Sequence, residues 1–192
     1  FNDPKNISKN VKFLDESDAV IFLLDTFSIP YIHDKLNIKG EIELKYDVIL
    51  NNIIDHFKNG DKKKKEAHFG KPMAFAFSKI DAILDHSEDL AETAIPGMTL
   101  DQNSPFLDGG GVRMDDIDAV SDGLRAALNS WYEDGFVNNA ENNYKNLKYF
   151  GFSALGKDPG NDNHIEGIKP YRVLDPLIWI LDQFKYPLLK QK

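Results

Sequence analysis

Pro72-Met73-Ala74-Phe75-Ala76-Phe77-Ser78-Lys79-Ile80-Asp81 is the stretch on which the fold turns. Five apolar residues, Met73 to Phe77, run straight into a polar Ser-Lys-Ile-Asp tetrad. An unbroken apolar run of this length suits a strand covered on both faces, and such strands belong to parallel sheets. The tetrad then falls at the carboxyl end of the strand, the edge where open α/β sheets bind ligands.

Upstream, Ala19 to Leu24 is a second compact apolar run, ending in Asp25-Thr26; its length and its Val and Ile content predict another strand buried on both faces. Phe1 to Ser17 is polar and Asn/Lys-rich and reads as an irregular lead-in. Ser28 to Gly40, with Pro30 and Gly40, reads as loop. Within Glu41 to Phe57, Tyr46, Ile49, Leu50, Ile53 and Phe57 fall three and four apart, which predicts an amphipathic helix ended by Asn59-Gly60. Lys62 to Lys65, the one basic run, reads as part of a solvated polar loop. Strand, helix, strand in this order makes the two strands parallel through a crossover.

Downstream, Ala82 to Asp116 reads as an insertion. Asp85 to Glu92 suits a short helix, whereas Pro96, Gly97, Pro105 and Gly109-Gly110-Gly111 favour an extended path. The glycine triplet reads as a flexible loop, not a phosphate loop: no strand precedes it, and Val112-Arg113 follows where Lys-Ser/Thr is required. Val120, Leu124, Ala127, Leu128 and Trp131 predict a second helix starting near Asp118 to Ser121, with the polar Asn138 to Asn146 ending or extending it. Leu147 to Phe152 is a short aromatic strand leading into Ser153-Ala154-Leu155-Gly156, and a loop follows from Gly156 to Gly167. A last helix begins with Asp175 as N-cap and Pro176 at the first helical position, carries Leu177, Ile178, Ile180, Leu181 and Phe184, and is stopped by Pro187. With no internal repeat, residues 1–192 read as one α/β domain: a three-layer parallel sheet with helices on both faces.

The composition narrows the function. A net charge of −8 disfavours nonspecific binding to nucleic acid or to an anionic membrane. The absence of cysteine excludes disulfides, thiolate metal sites and cysteine nucleophiles, and is consistent with a reducing, cytoplasmic setting. No apolar run approaches the roughly 20 residues of a membrane helix, and no stretch reads as a signal peptide. The chain opens on Phe1 and not Met, and is therefore expected to be trimmed. The histidines His33, His56, His68, His86 and His164 lack metal-ligand spacing and are expected on the surface or in loops, while Trp131 and Trp179 lie on apolar helical stripes and are expected in the core. Asp25 follows a strand as a phosphatase nucleophile would, but that chemistry wants a second Asp where Phe27 stands, so it reads as a structural carboxylate. Taken alone, Ser78 to Asp81 would be a polar loop opening a helix, with Ser78 or Asp81 as its cap.

Ser78-Lys79-Ile80-Asp81 and Ser153-Ala154-Leu155 end successive strands with one helix between them and one after. In this order they resemble the second half of a P-loop GTPase domain, where an Asn/Thr-Lys-x-Asp motif and a Ser-Ala-x motif together hold the guanine base. The wording of Ala19 to Asp25 (AVIFLLD) and Lys169 to Leu181 (KPYRVLDPLIWIL) is most similar to divergent GTPase-like domains of bacterial proteins in the translation-factor-related class. The resemblance implies GTP or GDP as ligand. Asp81 would accept from the guanine N1–H and exocyclic amine, each charge-assisted bond worth roughly 1.5–3 kcal/mol. Adenine lacks that donor pair. Lys79 would lay its aliphatic stem along the base, and Ser78 would brace the two loops. The Ala154 N–H would face the guanine O6, with Ser153 holding the turn and Leu155 covering the base.

The departures are as informative. Ser78 stands where the family has Asn or Thr and reaches less far, implying weaker guanine affinity. The sequence contains no Gly-x-x-x-x-Gly-Lys-Ser/Thr loop and no Asp-x-x-Gly before Ala19, so the resemblance spans nearly all of this chain but only the carboxyl-terminal half of the family's domain. This chain alone is expected not to hydrolyse GTP, and Mg²⁺ is expected only with the missing upstream half. In the family the phosphate-loop strand lies beside the strand that is here Ala19 to Leu24. Its absence is expected to leave an apolar edge covered by that missing half or by another chain. The contrasting reading is a nucleotide-free GTPase-like scaffold that binds a protein partner.

Overall fold

The computed structural model describes residues 12–42, 45–86, 95–99, 111–131, 133–157 and 167–187. Three strands, β1 (Val20–Asp25), β2 (Met73–Ser78) and β3 (Leu147–Gly151), form one parallel sheet in the order β1-β2-β3. Val20 pairs with Met73 and Asp25 with Ser78; on the other side Met73 pairs with Leu147 and Phe77 with Gly151. β2 is thus the central strand, and every residue from Met73 to Phe77 is buried, as its unbroken apolar run requires.

Eight helices accompany the sheet among the described residues: α1 (Lys12–Glu16), α2 (Pro30–Lys35), α3 (Tyr46–Lys58), α4 (Lys62–Gly70), α5 (Ile80–Asp85), α6 (Met114–Ser130), α7 (Asp134–Asn143) and α8 (Asp175–Gln183). The period-two alternation of β2 separates two cores. Met73, Phe75 and Phe77 join Tyr149 under α3, α6 and α7; Ala74 and Ala76 join Phe150 under α8. The alanines leave room for Trp179, whose ring lies 5.7 Å from that of Phe150. On the first face Phe75 stacks on Tyr149 at 5.7 Å and meets Phe136 edge-on at 5.1 Å. Each of these buried rings contributes roughly 1.5–3 kcal/mol by removal from water. The expected α/β architecture with helices on both faces is present, and Trp131 and Trp179 are both core residues.

Several local expectations are corrected. Lys62 to Lys65 is not loop but the first turn of α4, because the Asp61 carboxylate caps it, accepting from the N–H of Lys63 at 2.8 Å and of Lys64 at 3.4 Å. Ser28 to Gly40 is only partly loop: a 3₁₀ turn over Thr26–Ser28 is followed by α2, which starts on Pro30. α3 begins at Tyr46, not Glu41, α6 begins at Met114, not near Asp118, and α7 is a separate helix. Asp175 is not the N-cap of α8; Leu174 is, without a side-chain bond, and the Asp175 carboxylate pairs with the Arg172 guanidinium at 2.7 Å. His68 is not a surface residue: it is 1% exposed, its Nε2 lies 2.8 Å from the Tyr144 hydroxyl, and its ring stacks on Phe57.

β1 is not buried on both faces as its composition predicts. Among the described residues it pairs only with β2, and Ile21 and Leu23 are 47% and 63% exposed. Val20 N donates to Pro72 O, so the alternation of a parallel ladder turns the peptide groups of Ile21 and Leu23 away from β2. A strand with the composition of an interior one therefore stands at the edge of the described sheet. Beside it runs an apolar groove of about 470 Å³ lined by Phe13, Leu14, Phe22, Ile49, Ile53 and Tyr144, among others. The predicted helix beyond Asp85, together with Pro105, Gly109, Gly110 and His164, lies outside the described residues, while Ile95 and Met98 between them are buried. No helix among the described residues is long and apolar enough to cross a membrane.

Candidate functional site

The carboxyl ends of β2 and β3 lie side by side, and the segments leaving them are tied together. Phe152 N donates to Phe77 O at 2.9 Å, and Ile80 N donates to Phe152 O at 3.2 Å. Between them lies a cavity of about 490 Å³ lined by all six residues singled out in the sequence, Ser78, Lys79, Asp81, Ser153, Ala154 and Leu155. Phe27, Ala82, Phe152 and Lys157 complete its lining.

Each side chain has a local cause for its position. Ser78 closes β2 and its Oγ donates to Leu24 O at 3.0 Å, while Thr26 Oγ1 donates to Ser78 O, so Ser78 braces β2 against β1. Lys79 is the N-cap of α5 in the left-handed conformation, φ 57° and ψ 33°, uncommon for a residue with a side chain. Its ammonium lies 2.7 Å from Asp25 Oδ2 and 4.9 Å from the centre of the Phe27 ring. Neither Ser78 nor Asp81 caps α5 through its side chain, which removes the simplest structural role for the tetrad. Asp81 lies in the first turn of α5 and is 5% exposed, and its Oδ1 is buried with no hydrogen-bond partner among the described residues. A buried carboxylate oxygen without a donor costs stability, and the residue that carries it lines the cavity.

The β3 side is built as a tight turn. Ser153 is bridged to Tyr171, with N–H···O bonds of 3.0 and 2.7 Å in the two directions. Its Oγ accepts from Leu155 N at 3.2 Å and Gly156 N at 2.8 Å, so the hydroxyl holds the turn. Gly156 adopts φ +79°, and a Cβ there would stand 2.0 Å from the carbonyl oxygen of Lys169. The Ala154 N–H has no acceptor among the described residues. Behind the turn, the buried Arg172 pairs with Asp116 at 2.6 Å and reaches Gly97 O at 3.3 Å. Its charge is held firmly, since these carboxylates outweigh the cost of burial and raise its pKa above the ordinary arginine value.

The residues that line the cavity bring together a carboxylate (Asp81), the backbone of a tight turn (Ser153, Ala154), apolar side chains (Phe27, Phe152, Leu155) and two cations (Lys79, Lys157). That set suits a flat ring with N–H donors and a carbonyl acceptor along one edge. No group of three or more His, Asp or Glu side chains among the described residues is arranged to hold a metal ion. Sequence reasoning did not find Phe27, Phe152 or Lys157 as lining. Phe27 carries the one usable signal, an aromatic side chain two residues past the end of a strand. No family model matches the chain, and no curated protein or solved structure matches it either.

Proposed function

We propose that this is a GTPase-like, guanine-nucleotide-binding domain carrying the base-recognition side of the site. The reading rests on one observation: two motifs 75 positions apart, Ser78 to Asp81 and Ser153 to Leu155, line one cavity, and Oδ1 of Asp81 has no hydrogen-bond partner among the described residues. Guanine would supply the N1–H and amine that Asp81 lacks, and its O6 would take the Ala154 N–H. Calorimetry with GDP and ADP tests this: GDP is expected to bind more tightly, and Asp81→Ala to abolish the preference. Equal affinities, or a variant indistinguishable from wild type, would refute the guanine assignment. No residue identified in the sequence would grip phosphates or Mg²⁺, so these 192 residues are expected to show no GTP turnover, and phosphate and metal contacts would come from other residues or another chain. The absence of cysteine supports a reducing, cytoplasmic setting, and the resemblance to divergent GTPase-like domains of bacterial proteins supports a bacterial one.

A second reading is favoured by β1. Its exposed Ile21 and Leu23, with the groove beside them, suit a nucleotide-free GTPase-like scaffold whose edge is covered by a protein partner. A thermal shift on adding GDP would count against a nucleotide-free scaffold.

A further inference from the structure

Asp25 does not line the cavity, yet it touches two groups that do. Its Oδ1 accepts from Phe27 N at 3.0 Å, which caps the 3₁₀ turn Thr26–Ser28 that carries the Phe27 ring. Its Oδ2 takes the Lys79 ammonium at 2.7 Å. Asp25 and Ser78 are register partners across β1 and β2, so the carboxylate stands directly beside the start of the Ser-Lys-Ile-Asp tetrad. Phe27 and Lys79, in contact through the ammonium and the ring face, form one continuous wall.

We infer that Asp25 is a positioning residue for a planar heteroaromatic ligand, holding the Lys79 stem and the Phe27 ring as a preformed stacking wall. The inference rests on the reading of the cavity as a base site. A lysine stem left free samples many rotamers, and ordering it on binding would cost affinity. The Asp25 carboxylate removes that freedom in advance with one oxygen on each element of the wall. Both partners of the ion pair are partly exposed, so it contributes little to folding, and its consequence falls on the ligand. Division of labour follows. Asp81 reads the edge of the base and is base-specific, whereas Asp25 acts on the ring face and is blind to which base is present.

Asp25→Asn separates these roles, since the amide oxygen still caps Phe27 N while the charge that holds Lys79 is gone. The 192-residue chain and the variant are titrated with guanosine and with inosine, which lacks the exocyclic amine, at low and high salt. Wild type is expected to prefer guanosine. Asp25→Asn is expected to weaken both nucleosides by the same factor, about fivefold for a partly exposed ion pair, with no change in preference. The gap should narrow at high salt as the pair is screened, and Asp25→Glu should recover part of it. The melting temperature should move by no more than about 3 °C. If wild type binds guanosine and Asp25→Asn binds equally well, or weakens only in step with a lost fold, the positioning role is refuted and the base site stands. If wild type binds neither nucleoside, the base site falls and the positioning role with it.

Discussion

The buried carboxylate of Asp81 carries a cost, and that cost makes its role measurable. Its buried Oδ1 lacks a donor, so Asp81→Asn should leave the melting temperature unchanged or raise it. In the proposed base site the same change would place an N–H donor against the guanine amine, and GDP affinity should fall about a hundredfold, the loss of charge-assisted bonds of roughly 1.5–3 kcal/mol each. Xanthine carries a carbonyl where guanine carries the amine, so XDP should gain relative to GDP in the same titration. A variant that destabilises the fold and leaves the XDP-to-GDP ratio unchanged would make Asp81 structural. Gly156 is the opposite case, a residue fixed by backbone geometry alone. Its left-handed φ costs a side-chain-bearing residue about 1–2 kcal/mol, and the Cβ would also collide with the Lys169 carbonyl. Gly156→Ala should therefore destabilise by at least that amount in urea unfolding, and should disturb the turn that Ser153 holds.

At the scale of elements, α4 shows how the fold responds to acid. Burial disfavours the charged imidazolium of His68, as does the neighbouring Lys71 ammonium, and the pKa falls from the ordinary 6.5 to about 4. The unfolded chain binds this proton below pH 6.5 and the folded one does not until about pH 4. The contribution of neutral His68 is thus complete above pH 6.5 and is lost as pH falls toward 4, on the order of 3 kcal/mol across the window. Urea midpoints for wild type and His68→Gln should converge as pH is lowered across this range, and parallel curves would show that His68 does not carry the effect. The same element shows what was legible in the sequence. β1 and β2 could be read because their unbroken apolar runs have no other use, β3 because its short run is aromatic, and both cavity-lining motifs because they sit at strand ends. α4 was not readable as a helix because its lysines are exposed and only the Asp61 cap announces it. His68 was hidden because its burial comes from Phe57 and Tyr144, one on the preceding helix and one at the end of α7. Asp25 and Phe27 joined the site only through the register of β1 on β2, a relation between residues more than fifty positions apart in the chain.

For the whole molecule the governing contrast is between a net charge of −8 and an open apolar strand. Charge repulsion keeps copies apart, whereas the outward peptide groups of Ile21 and Leu23, their exposed side chains and the adjoining groove favour addition of another strand. Repulsion between surfaces is screened over about 8 Å at physiological salt, while apolar burial is not. Self-association of the 192-residue chain should therefore increase with both protein concentration and salt. Sedimentation equilibrium should show a rising mean mass for wild type at 0.5 M NaCl, and Leu23→Lys should hold the chain monomeric, since a lysine on an edge blocks pairing. Leu23 is 63% exposed, so this substitution should leave stability within about 0.5 kcal/mol of wild type. A wild-type chain that stays monomeric at every salt concentration would mean that β1 is quiet as an edge. Loss of association in Leu23→Lys without loss of stability would place the contact on β1, and GDP binding in the same variant should be unaffected, because the cavity lies at the carboxyl ends of β2 and β3 and Leu23 does not line it.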